Sequence, residues 1–301
     1  MIGNLDNRPR ARRRLVSAFA IGALAWAAAT AASASETILF VGNSFTFAAY
    51  SPVWHYRAGE VTDLNGEGVG GVPALFKVFT REAGLDYAVS LETSPGKDLR
   101  WHIDHATPKI DRAWDHVVLQ SFSTLDAAHP GDPVTLISAT QVLASMLRAR
   151  NPAVDIRLDA TWSRADLTYR IASPWLGKPV EAMAAELRAG YDKAAAAAPG
   201  VKGVIPVGEA WTQAIKSGVA DANPYDGIDY GKVDLWAFDN YHASAFGYYL
   251  EALMIFGAVT GRDPTALGPR ETAAMELGFS PAQTAALQTV AHDELAAGTR
   301  P

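Results

Sequence analysis

From Glu36 onward, short apolar runs alternate with longer amphipathic stretches, and this alternation limits the fold more than any other feature of the chain. The runs at 37–42, 87–92, 116–120, 155–160 and 203–207 are partly β-branched or aromatic and end at glycine, proline or polar residues, as strands do. The stretches at 72–83, 99–112, 134–150, 180–198 and 209–216 have helical spacing. Strands separated by helices call for an α/β architecture, a mostly parallel sheet covered on both faces. Ligands on such sheets sit beyond the carboxyl ends of the strands. With 301 residues, 49% of them hydrophobic, the chain has enough material for a full core.

Residues 1–34 have a different character. Arg8, Arg10, Arg12, Arg13 and Arg14 lead into an uncharged, alanine-rich run that ends at Ala32-Ser33-Ala34. This is the layout of a bacterial export signal cleaved before Ser35, leaving residues 35–301 as a single domain in the periplasm or medium. The adjacent Arg12 and Arg13 permit a twin-arginine reading, and an uncleaved membrane anchor is the alternative. Removal of the leader, with its five arginines and one aspartate, takes the formal charge from −6 to −10. A mature protein this acidic is a poor partner for nucleic acid, and its contact with a membrane is expected only through an uncleaved leader. The absence of cysteine excludes disulfides, a thiol nucleophile and thiolate metal sites.

The first strand runs directly into Gly42-Asn43-Ser44. A serine on a sharp turn at a strand end is one way to expose a nucleophile, but it needs a base, and the base works best when a carboxylate orients it. Near the other end of the chain, Asp239 and His242 stand three apart just ahead of an apolar helix that runs to about residue 257. That spacing can put a carboxylate on one imidazole nitrogen and leave the other free. Ser44, His242 and Asp239 form the one complete set that the strand pattern brings toward a single edge. For a developing oxyanion, the turn at 92–97 offers the Gly96 amide, and the turn after the third strand offers Gln120 or the hydroxyls of Ser121 and Ser123.

Other residues invite a functional reading and a plain one. Trp54 lies in an aromatic loop after Ser44 that either walls a pocket or pins itself to the body of the domain. His102 either lines the pocket or is a solvated or supporting side chain; no metal site is expected. Trp162, after the fourth strand, arrives at the functional edge within a segment that also reads as a salt-bridged loop. Gly66, Gly68 and Gly71 satisfy a dinucleotide fingerprint formally but follow no strand, so they read as a turn entering a helix.

Gly-x-Ser after the first strand, a glycine turn after the second, a polar side chain after the third and a late Asp-x-x-His together resemble the SGNH (GDSL) hydrolase superfamily, over roughly residues 36–260. The resemblance is greatest to its poorly characterised bacterial branches. It implies a flavodoxin-like three-layer α/β/α sandwich of about five strands, ordered 2-1-3-4-5, and ester hydrolysis without metal or cofactor. Under it Ser44 is the nucleophile, His242 the base, Asp239 its orienting acid, and Ser44, Gly96 and Gln120 the oxyanion hole. Two positions depart from the family: its Gly-Asp-Ser reads Gly42-Asn43-Ser44, and its Gly-x-Asn-Asp is replaced by Leu119-Gln120-Ser121-Phe122-Ser123. The expected activity is hydrolysis of a short-acyl ester, such as a carbohydrate O-acetyl group. A lipase-like or thioesterase activity on long chains and a non-catalytic glycan-binding protein are the alternatives.

Overall fold

The computed structural model describes residues 1–4 and 35–298. The proposed leader therefore falls largely outside the described residues. Residues 35–298 form a single compact unit.

Six strands build one parallel sheet: β1 (Glu36–Gly42), β2 (Thr62–Asp63), β3 (Tyr87–Thr93), β4 (His116–Leu119), β5 (Asp155–Ala160) and β6 (Val201–Pro206). Their spatial order is β2-β3-β1-β4-β5-β6. Without β2 this is the expected 2-1-3-4-5 arrangement. β2 is too short and polar for a hydrophobic pattern to reveal. It is held by pairing with β3 and by the Asp63 carboxylate, which gathers the amides of Asn65, Glu67 and Val69. The glycine-rich segment therefore does follow a short strand, contrary to the sequence reading, and is a turn capped by Asp63 that leads to a helix.

β1 shows why its sequence is apolar without alternation. Ile38 and Phe40 face one core while Leu39 and Val41 face the other, and all four are fully buried. The first core is closed by α1 (Gly71–Glu82), α6 (Val207–Lys216), α7 (Ala245–Thr260), α8 (Thr272–Glu276) and α9 (Pro281–Gly298). The second is closed by α2 (Leu99–Ile110), α3 (Val134–Arg150) and α5 (Glu181–Ala197), while the short α4 (Ala165–Tyr169) follows β5. α7 is apolar on nearly every side because it is buried along most of its length, between the sheet and its neighbours α1, α6 and α9. The order in which strands are added reverses at β1, so the carboxyl ends of β1, β3 and β4 surround the topological switch point where such sheets bind ligands.

Candidate active site

The turn after β1 is fixed by hydrogen bonds to the turns that follow β3 and β4. The side-chain oxygen of Gln120 accepts from the Asn43 amide (2.9 Å) and from the Thr46 hydroxyl (3.1 Å). A Cβ at position 42 would lie 2.0 Å from Thr46 Oγ1 and 2.8 Å from Gln120 Oε1, so glycine is required there. Asn43 accepts from Phe45 N–H through Oδ1 and donates through Nδ2 to the carbonyls of Lys97 (2.9 Å) and Ser121 (3.0 Å). One side chain therefore ties together the turns that follow β1, β3 and β4. Ser44 stands on this braced turn, only 7% exposed. Its carbonyl accepts from Ala49 N–H (2.9 Å) and from the Tyr248 hydroxyl of α7 (3.3 Å).

Asp239 and His242 occupy a small loop closed by a Trp236–Ala243 bridge, with Ala237 N–H on the His242 carbonyl (2.7 Å). Ser244 caps α7 immediately afterwards and also donates to Asp234 O, which fixes where the helix begins. One Asp239 oxygen meets His242 Nδ1 at 2.6 Å, and the other accepts the amides of Tyr241 and His242. Burial pushes the Asp239 carboxyl up, but these hydrogen bonds outweigh it and leave the pKa below its ordinary value. His242 Nε2 is buried without a hydrogen-bond partner among the described residues.

Rings join the two loops. Phe45, next to Ser44, lies 5.6 Å from the His242 imidazole, centroid to centroid. Phe45 also stacks on Trp162 (4.1 Å), which stacks on Trp211 (4.7 Å) and donates its indole N–H to Tyr241 O. Tyr50 stands over His242 at 5.0 Å and meets Phe238 at 5.4 Å. Tyr50 is held at φ 60°, a left-handed conformation that a tyrosine adopts only when its surroundings enforce it.

Three sequence expectations need correction. Trp162 is fully buried, so it braces the serine turn against the histidine loop and contacts no substrate. His102 is also fully buried, with its Nδ1 paired to the Glu92 carboxylate, and does not line a pocket as expected. Gln120 is 1% exposed; its oxygen is committed to Asn43 and Thr46, and its amide nitrogen donates to Ser121 O. It supports the turn from below and offers no donor to an oxyanion. Trp54 is half-buried between Phe47 and His55, and its carbonyl receives the amides of Gly70 and Gly71, which fits the pinning role. Gly96 sits exposed at φ 66° on the turn that Asn43 ties down through Lys97.

Further groups crowd His242 from the same side. Tyr241 lies against its ring at 4.1 Å, and the Arg164 guanidinium stacks 3.5 Å above Tyr241. Arg164 is also paired in a fork with Asp166 and donates to Ser123 Oγ. Tyr241 was signalled by adjacency to His242, and Arg164 by its place with Asp166 in the segment after the fourth strand, whose salt-bridged reading matches the Arg164–Asp166 pair. Cavity size alone would also mislead. Voids of about 500 and 540 Å³ share residues 261–263 at the far end of α7, about 24 Å of helix from the His242 loop. Among the described residues no cluster of three or more metal-ligating side chains occurs, and no helix is long and apolar enough to cross a membrane.

No protein-family model matches the sequence, and no curated protein matches it significantly. Solved structures do resemble it. A DUF4886 family protein from Bacteroides uniformis superposes with a TM-score of 0.60 at 17% identity, over 88% of this chain and 96% of that one. A protein from Parabacteroides merdae, GDSL-like lipase by name, gives 0.52 at 16% identity, over 75% and 96%. A Slackia heliotrinireducens protein assigned as an SGNH hydrolase gives 0.48 at 19% identity, over 75% and 99%. The chain has an SGNH hydrolase-like fold.

Proposed function

We propose that this protein is a serine esterase acting on a short-acyl ester, with Ser44 as nucleophile, His242 as general base and Asp239 as the group that orients it. The observation that carries the reading is the His242–Asp239 hydrogen bond of 2.6 Å, which commits Nδ1 and leaves Nε2 without a partner on a loop in ring contact with Phe45. A neutral imidazole so oriented takes the Ser44 proton as Oγ attacks the ester carbonyl. The resulting imidazolium faces a carboxylate kept ionised by its hydrogen bonds. It then returns the proton to the departing alkoxide, and a water repeats the sequence on the acyl-enzyme.

The amides of Ser44 and Gly96 serve as oxyanion donors; neither has a hydrogen-bond partner among the described residues. With Gln120 committed elsewhere, that side chain adds no third donor, and one such donor is worth about 3–4 kcal/mol of transition-state stabilisation. A two-donor site suits reactive, unhindered esters. The crowding of Phe45, Tyr50 and Tyr241 around His242 favours a short acyl group over a long chain. The leader-like composition of residues 1–34 supports export to the periplasm or medium.

The test is hydrolysis of p-nitrophenyl acetate by the wild type and by Ser44→Ala, with fluorophosphonate labelling of the wild-type serine. Turnover and labelling should both vanish in the variant while its circular dichroism is unchanged. Undiminished turnover in Ser44→Ala would refute the assignment. A wild type that neither turns over nor labels but binds glycans would favour a non-catalytic glycan-binding protein on the same fold.

A further inference from the structure

Beside the serine turn, at the carboxyl end of β3, lies a second concavity that the proposed chemistry does not use. It encloses about 210 Å³ between α2 and the turn after β2. That is roughly the volume of seven liquid waters at about 30 Å³ each, and below the roughly 300 Å³ at which drug-sized pockets begin. The space suits one small polar ring.

Its walls are built, not incidental. Glu92 is 2% exposed yet lines the cavity; one carboxylate oxygen is paired with His102, and the other has no hydrogen bond among the described residues. A carboxylate on this wall can accept from the hydroxyls of a ligand in the cavity. Opposite polarity is supplied by Lys109, whose ammonium donates to Asn65 Oδ1, while Asn65 in turn donates to Thr93 O (2.6 Å). The His105 ring, anchored through Nδ1 on Trp101 O, lines the same wall. Trp101 supplies an apolar surface, with its indole stacked on His105 at 4.6 Å.

The lining also excludes other ligand classes. Two carboxylates, Glu92 and Glu67, disfavour an anion. Lys109 disfavours a cation, and the mainly polar walls disfavour an acyl chain. A neutral polyhydroxylated ring satisfies all of them, because each hydroxyl both donates to carboxylate and accepts from ammonium, amide or imidazole.

Placement connects the cavity to the reaction. Thr93 is the register partner of Gly42, Ser94 N–H donates to the Gly42 carbonyl (3.1 Å), and the same turn carries Gly96 before returning to Asn43 through Lys97 O. A ring seated there lies along the turn proposed to hold the oxyanion. We propose that this cavity is the subsite for the sugar ring of a carbohydrate ester, with Glu92, Lys109 and Asn65 reading its hydroxyls. The assignment rests on the esterase reading for its purpose, but the subsite is measurable without catalysis.

The experiment titrates methyl xyloside, methyl glucoside and methyl mannoside into Ser44→Ala protein, followed by saturation-transfer NMR, and repeats it in Ser44→Ala/Lys109→Met and Ser44→Ala/Asn65→Ala. Glu92→Gln also removes the partner of a buried histidine and can fail to fold, so the rim variants carry the test. At least one glycoside should bind, with its apparent Kd raised at least tenfold in both rim variants while circular dichroism and Tm are retained. Absence of binding by all three glycosides, undiminished binding in the rim variants, or preferential binding of inorganic phosphate would overturn the subsite. Turnover of p-nitrophenyl acetate by the wild type reads the esterase assignment separately, so failure of one is not mistaken for failure of the other.

Discussion

Replacing Asn43 with aspartate isolates what holds the serine turn in place, and it installs the residue found at this position in the family's Gly-Asp-Ser. Asn43 is 2% exposed and donates to two carbonyls, Lys97 O and Ser121 O. A carboxylate keeps the bond accepted from Phe45 N–H but has no donors, so both outgoing bonds are lost. Two neutral hydrogen bonds are worth about 1–3 kcal/mol together. Ser121 O retains a donor in Gln120 Nε2, whereas Lys97 O does not, and a buried carboxylate then faces carbonyl oxygens at a further cost of about 1–3 kcal/mol. The expected destabilisation is about 4 kcal/mol, or a fall in Tm of about 8–16 °C for a domain of this size.

The sign of its pH dependence follows from the same geometry. Burial and the facing carbonyls raise the new carboxyl above the ordinary value near 3.9, and the protonated form can donate once. The folded variant then holds its proton more tightly than the unfolded chain, so the deficit is smallest at pH 4 and grows as pH rises. Urea denaturation at pH 4, 6 and 8 reads both quantities. A loss below about 1 kcal/mol that does not vary with pH would refute the view that Asn43 donors tie the three turns together.

Three further outcomes are expected. Asp239→Asn should fold normally and lower kcat on p-nitrophenyl acetate by about a hundredfold to ten-thousandfold, because Nδ1 would then face an amide that no longer fixes the tautomer; unchanged kcat would remove Asp239 from the mechanism. Trp162→Ala should cost about 3–5 kcal/mol in denaturant and lower activity disproportionately, since the ring links Phe45 to Tyr241; a variant that loses stability but keeps full activity in the folded fraction would refute the bracing role. The fully buried Asp159 and Glu251 carboxyls are both pushed up, by burial in each case and in Glu251 also by its neighbour Asp159. The folded protein therefore binds more protons than the unfolded chain above about pH 4.3, and stability conferred by the protonated pair is lost as pH rises. Glu251→Gln should flatten that decline and gain on the wild type by about 1 kcal/mol or more between pH 5 and pH 8, whereas parallel stability profiles would refute it.

The sequence by itself determined the sheet. Runs such as Ile38–Val41 are apolar on both faces because helices cover both, and that pattern sets the class and the edge at which Ser44 emerges, while the strand order came only from the family resemblance. It also exposed the Asp239–His242 pair, since a carboxylate three residues from an imidazole is a local relation. The tertiary structure decided which polar and aromatic groups face the site. Trp162, His102 and Gln120 each stand at the correct edge, yet each points into the interior, because direction depends on partners distant in sequence: Phe45 and Tyr241 for Trp162, Glu92 for His102, Asn43 and Thr46 for Gln120. Tyr50 and Arg164 reach the histidine loop through a strained backbone and a stacked cation, which composition and period do not encode. Strand periodicity places a residue at an edge, but hydrogen-bond satisfaction across long sequence separations decides whether its side chain serves the site or the scaffold.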